Sequence, residues 1–360
     1  MIAAQNSHTK KISIISPCRN EFDFIQVFVE SLLAQELSAN CELEVLIADG
    51  MSEDATRDIL DATATSHQNL RIINNPRKIV STGLNEAIRA ATGEIIVRMD
   101  AHTSYPKDYV RNCVETLEKT GADNVGGPAR TMANGYLQEA IQLAYHSGFS
   151  VGGARFHDVS YEGYVDTVTY GCWRKTTLVA AGLFDEELVR NQDDELNLRI
   201  IRAGGKIWQS PTIQSWYYPR DSLRKLFVQY TQYGYWKVRV IQKHRIPASI
   251  RHLVPGAFVF SIIVLGVLSP FKDSALWLLI FLLISYSVAN LASSLVTCMK
   301  NGRWKYLPIM PVVFACYHFG YGYGFLRGVI DFIFLRKRGH NSFSSLTRKS
   351  KISVDEARKA

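Results

Sequence analysis

The sequence predicts an α/β domain built on a parallel sheet, followed by an amphipathic helix at a membrane surface and by C-terminal transmembrane helices. Three observations carry this. The first 130 residues alternate short apolar runs with helix-patterned stretches, the mark of strand–helix units. Two nearly uncharged stretches, 253–270 and 275–296, are long enough, against the roughly 20 residues required, to span a bilayer. Charge is also divided: from Arg220 onward there are 21 Lys and Arg against 5 Asp and Glu, net +16, so residues 1–219 carry −8 of a whole-chain +8. Because the basic residues of the second half alternate with apolar segments, they suit an anionic membrane surface and not a nucleic-acid backbone, which needs one exposed basic face.

Residues 12–16 read as the first strand, closed by Pro17-Cys18-Arg19-Asn20-Glu21, and 22–35 as a helix. A second strand, 44–48, runs into the polar turn Asp49-Gly50-Met51-Ser52-Glu53-Asp54, with Ser52 as the expected N-cap of a helix reaching about residue 65. Residues 70–74 form a third strand and 81–91 a helix, stopped at Gly93. A strand over 94–99 delivers Asp100, and Pro106 suits the first turn of the next helix. Further strands are expected at 124–130 and 166–173, and the cluster Asp193-Asp194-Glu195 opens a helix marked by Leu196, Ile200 and Ile201. Asn20, Asp49 and Asp100 thus fall at carboxyl ends of strands, where open α/β sheets bind ligands.

Two acidic clusters are candidates for chemistry. Asp100-Ala101-His102 can hold a divalent cation on a diphosphate, although a lone D-x-H more often marks a solvated strand end. Asp193, Asp194 and Glu195 sit where the helix dipole stabilises an ionised base, and serve equally well as ordinary first-turn acids. No G-x-G-x-x-G or P-loop lysine follows any strand, which disfavours a dinucleotide fold or an NTPase. Phosphates would then be held by a cation at Asp100 and His102, helped by Arg77 or Lys78. Cys18, Cys41, Cys113, Cys172, Cys298 and Cys316 lack metal or disulfide spacing and read as buried thiols of a reducing compartment. The polar N-terminus, 1–11, has no apolar signal-peptide core, so the domain over 1–219 is expected in the cytoplasm.

Residues 223–241 carry Leu226, Phe227, Tyr230, Tyr233, Trp236 and Val240 among Arg224, Lys225, Lys237 and Arg239. They are expected to form, within 220–250, an amphipathic helix in the headgroup region with its aromatics at the interface. In the membrane region, 251–335, basic flanks on both sides of the two spans place those flanks inside. The third segment, 307–335, is interrupted by Pro308, Pro311, Gly320, Gly322 and Gly324. It reads as a third crossing, a re-entrant segment or two short tilted helices, and the basic tail, 336–360, is expected to be cytoplasmic.

The ordered motifs resemble those of the inverting family 2 glycosyltransferases, especially the membrane-anchored bacterial members that build succinoglycan-type exopolysaccharide. Ser16-Pro17-Cys18-Arg19-Asn20-Glu21 looks like that family's first-strand turn, and Asp49-Gly50-Met51-Ser52-Glu53-Asp54-Ala55-Thr56 is similar to its nucleotide-binding D-G-x-S-x-D-x-T. Asp100-Ala101-His102 takes the place of its D-x-D. Gly182-x-Phe184-Asp185-Glu186 and Gln192-Asp193-x-Glu195-Leu196-x-x-Arg199 are similar to its G-x-F-D-E and E-D-x-x-L-x-x-R elements. The resemblance implies a GT-A-like, Rossmann-related mixed sheet flanked by helices. It implies a nucleotide-diphosphate sugar donor, expected as a UDP-sugar, held by Pro17, Arg19, Asn20, Glu21, Asp49, Arg77, Lys78 and Asp100. It implies a divalent metal, Mn or Mg, on Asp100 and His102; the imidazole favours Mn²⁺. Asp193 is then the base, with Asp194 or Glu195 as substitutes because Gln192 replaces the preceding Glu. The acceptor is expected to be a lipid-linked saccharide, with Trp173, Gln229, Tyr233 and Trp236 as candidate contacts, both tryptophans fitting packing as well as sugar stacking. Gln229-x-x-Gln232-Tyr233 only half matches the Q-x-x-R-W of processive synthases. Two other readings remain: a polyprenyl-phosphate glycosyltransferase, and a catalytically silent membrane scaffold.

Overall fold

The computed structural model describes residues 9–247 and 249–337. The polar N-terminal stretch before Thr9 and the basic tail beyond Lys337 lie outside the described residues, and with them most of the expectation of a cytoplasmic tail. The chain divides into two compact units. Their boundary differs from the expected one: Thr131–Ala154 belongs with the second unit, not with the α/β domain. The reason is apolar packing, since a helix at Tyr136–Tyr145 (α5 below) buries Ala140, Ile141 and Ala144 in one cluster with Met310, Val313, Phe314 and Tyr317.

In the first unit, strands and helices alternate as the sequence predicts: β1 (Lys10–Cys18), α1 (Phe22–Leu33), β2 (Cys41–Asp49), α2 (Thr56–Ser66), β3 (Leu70–Asn74), α3 (Val80–Ala90), β4 (Ile95–Arg98) and, after the short β5 (Thr103–Ser104), α4 (Tyr109–Thr120). Then come β6 (Asn124–Gly127), β7 (Gly163–Tyr164), β8 (Thr169–Arg174), α7 (Lys175–Ala180), α8 (Gln192–Arg202), β9 (Ile207–Gln209) and β10 (Trp216–Tyr217); α5 and α6 (Gly148–Val151) lie in the second unit. The order β3-β2-β1-β4-β8-β6-β9-β7 makes a mixed sheet, parallel from β3 to β4 and antiparallel where β8 joins β4 and β6. The largely apolar, buried centres of β1, β2 and β4 follow from this, because helices cover both faces. One face packs on α1 and α4 through Ile25, Val29, Val110 and Leu117, the other on α3 and α8 through Leu84, Ile88, Leu196 and Ile200. Two local expectations are corrected. Ser52 caps no helix, its hydroxyl being spent on Asp49, and Pro106 precedes α4 in a turn whose carbonyl accepts from the Tyr109 N–H. All six cysteines are free.

The second unit is helical: α9 (Leu223–His244), α10 (Val254–Leu268), α11 (Asp273–Lys300) and α12 (Met310–Gly328), the last continued by a π-turn at Val329–Phe334. Ile250–Leu268 and Asp273–Lys300 are long and apolar enough to cross a membrane. Trp277, Phe281 and Val288 of α11 and Phe260 and Val267 of α10 point outward, as side chains that face lipid do. Within segment 307–335 the chain forms one continuous helix, α12 and its π-turn together, not two short ones: Pro311 sits in its first turn, where a missing N–H costs nothing. Nor does its glycine run interrupt it. A Cβ at Gly320 would lie 2.9 Å from the Phe227 carbonyl oxygen, at Gly324 2.0 Å from that of Thr231, and at Gly328 2.7 Å from that of Tyr235. The three glycines thus form a seam on which α9 lies, running in the same direction. This also corrects the interfacial reading of α9: Tyr235, Trp236 and Val240 are buried against other helices, not presented at a headgroup layer. Gly324→Ala is expected to destabilise the protein by about 1 to 3 kcal/mol, since the backbones cannot part without opening the whole seam. Thermal unfolding in detergent checks this against Gly266→Ala, a position with open space around it; equal midpoints for the two variants would refute the seam.

Candidate active site

The loops that follow β1 to β4 lie on one edge of the sheet, because the four strands are parallel. Each contains a non-glycine residue at positive φ: Asn20 at 52°, Met51 at 56°, Lys78 at 64° and His102 at 59°. Such conformations persist where surroundings over-determine them, and they gather at ligand sites. The loops are pinned to one another. The Asn20 N–H donates to Ser52 Oγ at 3.0 Å, and the Glu53 N–H donates to Asn20 Oδ1 at 2.8 Å. Asp49, buried at the end of β2, accepts from the Ser52 hydroxyl at 2.5 Å and from its N–H. Arg19 and Lys78 both pair with Glu53, at 3.0 and 3.2 Å. His102 Nε2 lies 2.6 Å from Glu21, joining the first loop to the fourth. Pro17, Arg19, Asn20, Glu21, Asp49 and Lys78 are therefore brought together.

The residue that organises the rest was missed by the sequence reading. Arg98, the last residue of β4, is buried, and its guanidinium forks onto both oxygens of Asp100 at 2.7 Å while a third nitrogen bonds Asp193. Its carbon stands 5.9 Å from the ring centres of Tyr170 and of Phe184. A strand arginine two residues before a D-x-H was the available signal, since a buried arginine requires carboxylate partners. Burial works against its charge, yet Asp100 and Asp193 outweigh that and hold the guanidinium above its ordinary value.

Asp193 is in the first turn of α8 and remains 35 % exposed. Burial pushes its carboxyl up to about 6; Arg98 opposes the rise, and Asp100 and Asp194 add to it. A carboxylate tuned upward is a better proton acceptor near neutrality than an ordinary aspartate. Its neighbours differ. Glu195 is buried and held by Arg199 through two bonds of 2.8 and 2.7 Å, while Arg199 also binds the Ala181 and Leu183 carbonyls. That pair fixes the Gly182–Phe184 turn to α8 and removes Glu195 from the base candidates, a correction. Asp194 shares the exposed first turn and bears on Asp193 electrostatically. With Asp193 as the proton acceptor, kcat/KM is expected to rise with pH through about 6 and then level, because a carboxyl must be ionised to take a proton. A pH profile flat between 5 and 8 would contradict this.

Other expected residues are placed elsewhere. Arg77 turns to Glu186 at 2.5 Å, which Asn85 and Arg89 also bind. Trp173 is 1 % exposed and packs on Phe184 in the core, so sugar stacking is corrected to packing. In the second unit, Trp236 is likewise fully buried, beside Tyr235 and Phe332. Gln229 is buried there too, accepting from Arg220 and donating to the Tyr233 hydroxyl at 2.9 Å. That leaves Tyr233, half-buried, as the more accessible of these three.

Among the described residues, no group of three or more His, Cys, Asp or Glu gathers as a cation cage. Asp100 and His102 fit a divalent cation in donor type, as two ligands that a diphosphate would complete, the usual manner for Mg²⁺ and its kin. Both Asp100 oxygens are engaged by Arg98, so a cation there competes with or shares that contact.

The chain is similar to known proteins over most of its length. The model of glycosyl transferase family 2 matches residues 13–149. The succinoglycan biosynthesis protein ExoA of Rhizobium meliloti (strain 1021) is 30% identical over 328 residues, 89% of this chain and 95% of the relative. A Methanococcus voltae dolichyl N-acetyl-alpha-D-glucosaminyl phosphate 3-beta-D-2,3-diacetamido-2,3-dideoxy-beta-D-glucuronosyltransferase is also 30% identical, over 89% of this chain and 97% of its own. Among solved structures, the Pyrobaculum calidifontis mannosyltransferase PcManGT in complex with GDP-Man and Mn²⁺ superposes with a TM-score of 0.57 at 17% identity, covering 89% of this chain and 87% of that one. The last likeness supports the GT-A fold. With relatives matched over nearly their whole length, the chain belongs to glycosyl transferase family 2 and is a glycosyltransferase.

Proposed function

We propose that the protein transfers a sugar, with inversion, from a nucleoside-diphosphate sugar to a lipid-linked saccharide in the building of a cell-surface polysaccharide. The observation that carries this is Asp193, tuned upward and fixed through Arg98 to the D-x-H turn. In this reading the Asp193 carboxylate takes the proton of the acceptor hydroxyl as that oxygen attacks the anomeric carbon, and the nucleoside diphosphate leaves from the opposite face. Asp49 and the Pro17–Glu21 loop hold the nucleoside, Lys78 lies at the donor's phosphate edge, and Arg98 keeps base and donor loop in register. Asp100 and His102 would hold a divalent cation, which supplies charge neutralisation for the leaving diphosphate. With the donor bound there, Arg98 stabilises the Asp193 carboxylate until the acceptor arrives.

The lipid-linked acceptor draws support from the Methanococcus voltae relative, whose name specifies a dolichyl-phosphate-linked sugar as acceptor, and from ExoA, named for succinoglycan biosynthesis. The apolar α10 and α11 suit a substrate tethered in a bilayer, as two spans that hold the α/β domain on the cytoplasmic side. Screening nucleotide sugars against membranes with extracted lipid acceptor tests the proposal. A lipid product that gains one sugar on an existing saccharide supports it; transfer to polyprenyl phosphate itself would favour the second reading, and a complete lack of donor binding would favour a scaffold. For the cation, Asp100→Ala should remove Mn²⁺-dependent donor binding, whereas His102→Asp should keep binding and move the preference towards Mg²⁺. An unchanged metal preference in His102→Asp takes His102 out of the site.

A further inference from the structure

Beyond Arg98 the Asp100-Ala101-His102 turn leaves the sheet. Pairing of β4 with β1 ends where Arg98 faces Ile15, and the Met99 N–H still donates across to the Ile15 carbonyl at 3.1 Å. From there one side chain takes over. The Tyr105 hydroxyl accepts from the Asp100 N–H at 2.7 Å and donates to the Asp100 carbonyl oxygen at 3.2 Å. A phenol five residues along the chain thus closes the loop that carries Ala101 and His102, and serves both peptide groups of Asp100 as a neighbouring strand would.

The ring that carries this hydroxyl cannot wander. Tyr105 is buried, edge-on to the Tyr109 ring at 4.8 Å between centres and 5.8 Å from that of Tyr170. Tyr170 fastens the other shoulder of the turn, its hydroxyl bonded to Thr103 Oγ1, although a bulky residue at a φ of 62° is itself uncommon. Thr103 and Ser104 are held further by antiparallel pairing with β10. Between the two shoulders His102 sits at a φ of 59°, a conformation that lasts only where its surroundings impose it. We propose that Tyr105 is a positioning residue for the transfer reaction: its hydroxyl holds the turn in the form that presents Asp100 and His102 to the cation and the donor's diphosphate. This role rests on the reading of Asp100 and His102 as cation ligands. Tyr105 touches neither cation nor donor and acts through the Asp100 backbone, so that the turn is ordered before either arrives.

Two measurements on the full chain in detergent test this without any sugar transfer. The first is Mn²⁺ titration followed by electron paramagnetic resonance, with UDP or GDP present, whichever holds Mn²⁺ the more tightly on the wild type. Tyr105→Phe keeps the ring and removes both bonds. If the turn then keeps its present form about a tenth of the time, Mn²⁺ should bind about tenfold more weakly, because apparent affinity falls with the competent fraction. Binding of the same diphosphate in EDTA should stay within about twofold of the wild type, its nucleoside resting on Asp49 and the Pro17–Glu21 loop. Tyr109→Phe, which deletes a buried hydroxyl from the ring packed against Tyr105, should bind Mn²⁺ as the wild type does and guards against a general loosening of the core. The second measurement, hydrogen exchange, needs neither cation nor nucleotide: the Asp100 amide should exchange faster in Tyr105→Phe than in Tyr109→Phe. Unchanged Mn²⁺ affinity in Tyr105→Phe, an equal loss in Tyr109→Phe, an equal loss of diphosphate binding in EDTA, or equal exchange in the two variants would overturn the proposal and leave the transferase reading standing. A wild type that binds the diphosphate but no Mn²⁺ would instead remove the cation from Asp100 and His102, and this role of Tyr105 with it.

Discussion

Asp193→Asn is expected to lower turnover by roughly 10² to 10⁴-fold while donor affinity stays within about twofold of the wild type. The asparagine preserves the side-chain shape at the start of α8 and can still accept from Arg98, so the donor loops keep their places. What it cannot do is take a proton. The rise of activity through about pH 6 should vanish with the carboxylate, leaving a low rate independent of pH in that range. Single-turnover kinetics with saturating donor separates the two effects, because binding and chemistry are then read independently. A fully active Asp193→Asn beside an inactive Asp194→Asn would move the base one residue along the helix.

Arg98→Met is expected to cost about 3 kcal/mol of stability and to shift the pH limb upward. The loss lies at the low end for a broken buried ion pair because Asp100 and Asp193 keep 27 and 35 % of their side-chain surface in solvent. The sign of the pH effect follows from the present balance. Arg98 opposes the rise of the Asp193 pKa, so its removal lets burial and the neighbouring acids push the carboxyl above about 6. Less of the base is then ionised at pH 7. Arg98→Lys should recover part of the stability but not the register of the two carboxylates, since one ammonium cannot fork onto Asp100 and reach Asp193 together. Denaturant unfolding combined with a pH–rate profile checks both; a limb that stays near pH 6 in Arg98→Met would show that Arg98 does not govern the base.

The α/β order was legible because β1, β2 and β4 are largely buried and read as mostly apolar runs between helix patterns, and even the half-exposed edge strand β3 keeps enough apolar residues to be placed at Leu70–Asn74 to the residue. Their loops were legible through the motif residues, and Asn20, Asp49, Asp100 and Asp193 all stand at the sheet edge or at a helix start. Arg98 was not, because a strand residue's burial and the direction of its side chain depend on which acids the fold brings opposite it. Trp173 and Trp236 show the converse: aromatic side chains serve a core and a sugar site equally well, and only packing decides between them. The glycines of segment 307–335 looked like interruptions because spacing alone carries no partner; at every fourth position, Gly320, Gly324 and Gly328 face α9, nearly a hundred residues earlier.

That separation sets a timetable for biosynthesis. The face of α9 between Phe227 and Tyr235 emerges from the ribosome about ninety residues before the glycines that receive it, an interval of about 5 to 20 s at ordinary elongation rates. Throughout it, α9 carries uncovered Tyr235 and Trp236 while α10 and α11 are still being made. The α/β unit's strands β1 to β10 are by then complete, so the nascent chain passes through a stage in which a finished α/β half is joined to a helix awaiting its counterpart. Chains that stop short of Gly328 would remain at that stage, and quality-control proteases would meet the bare aromatic face of α9 first.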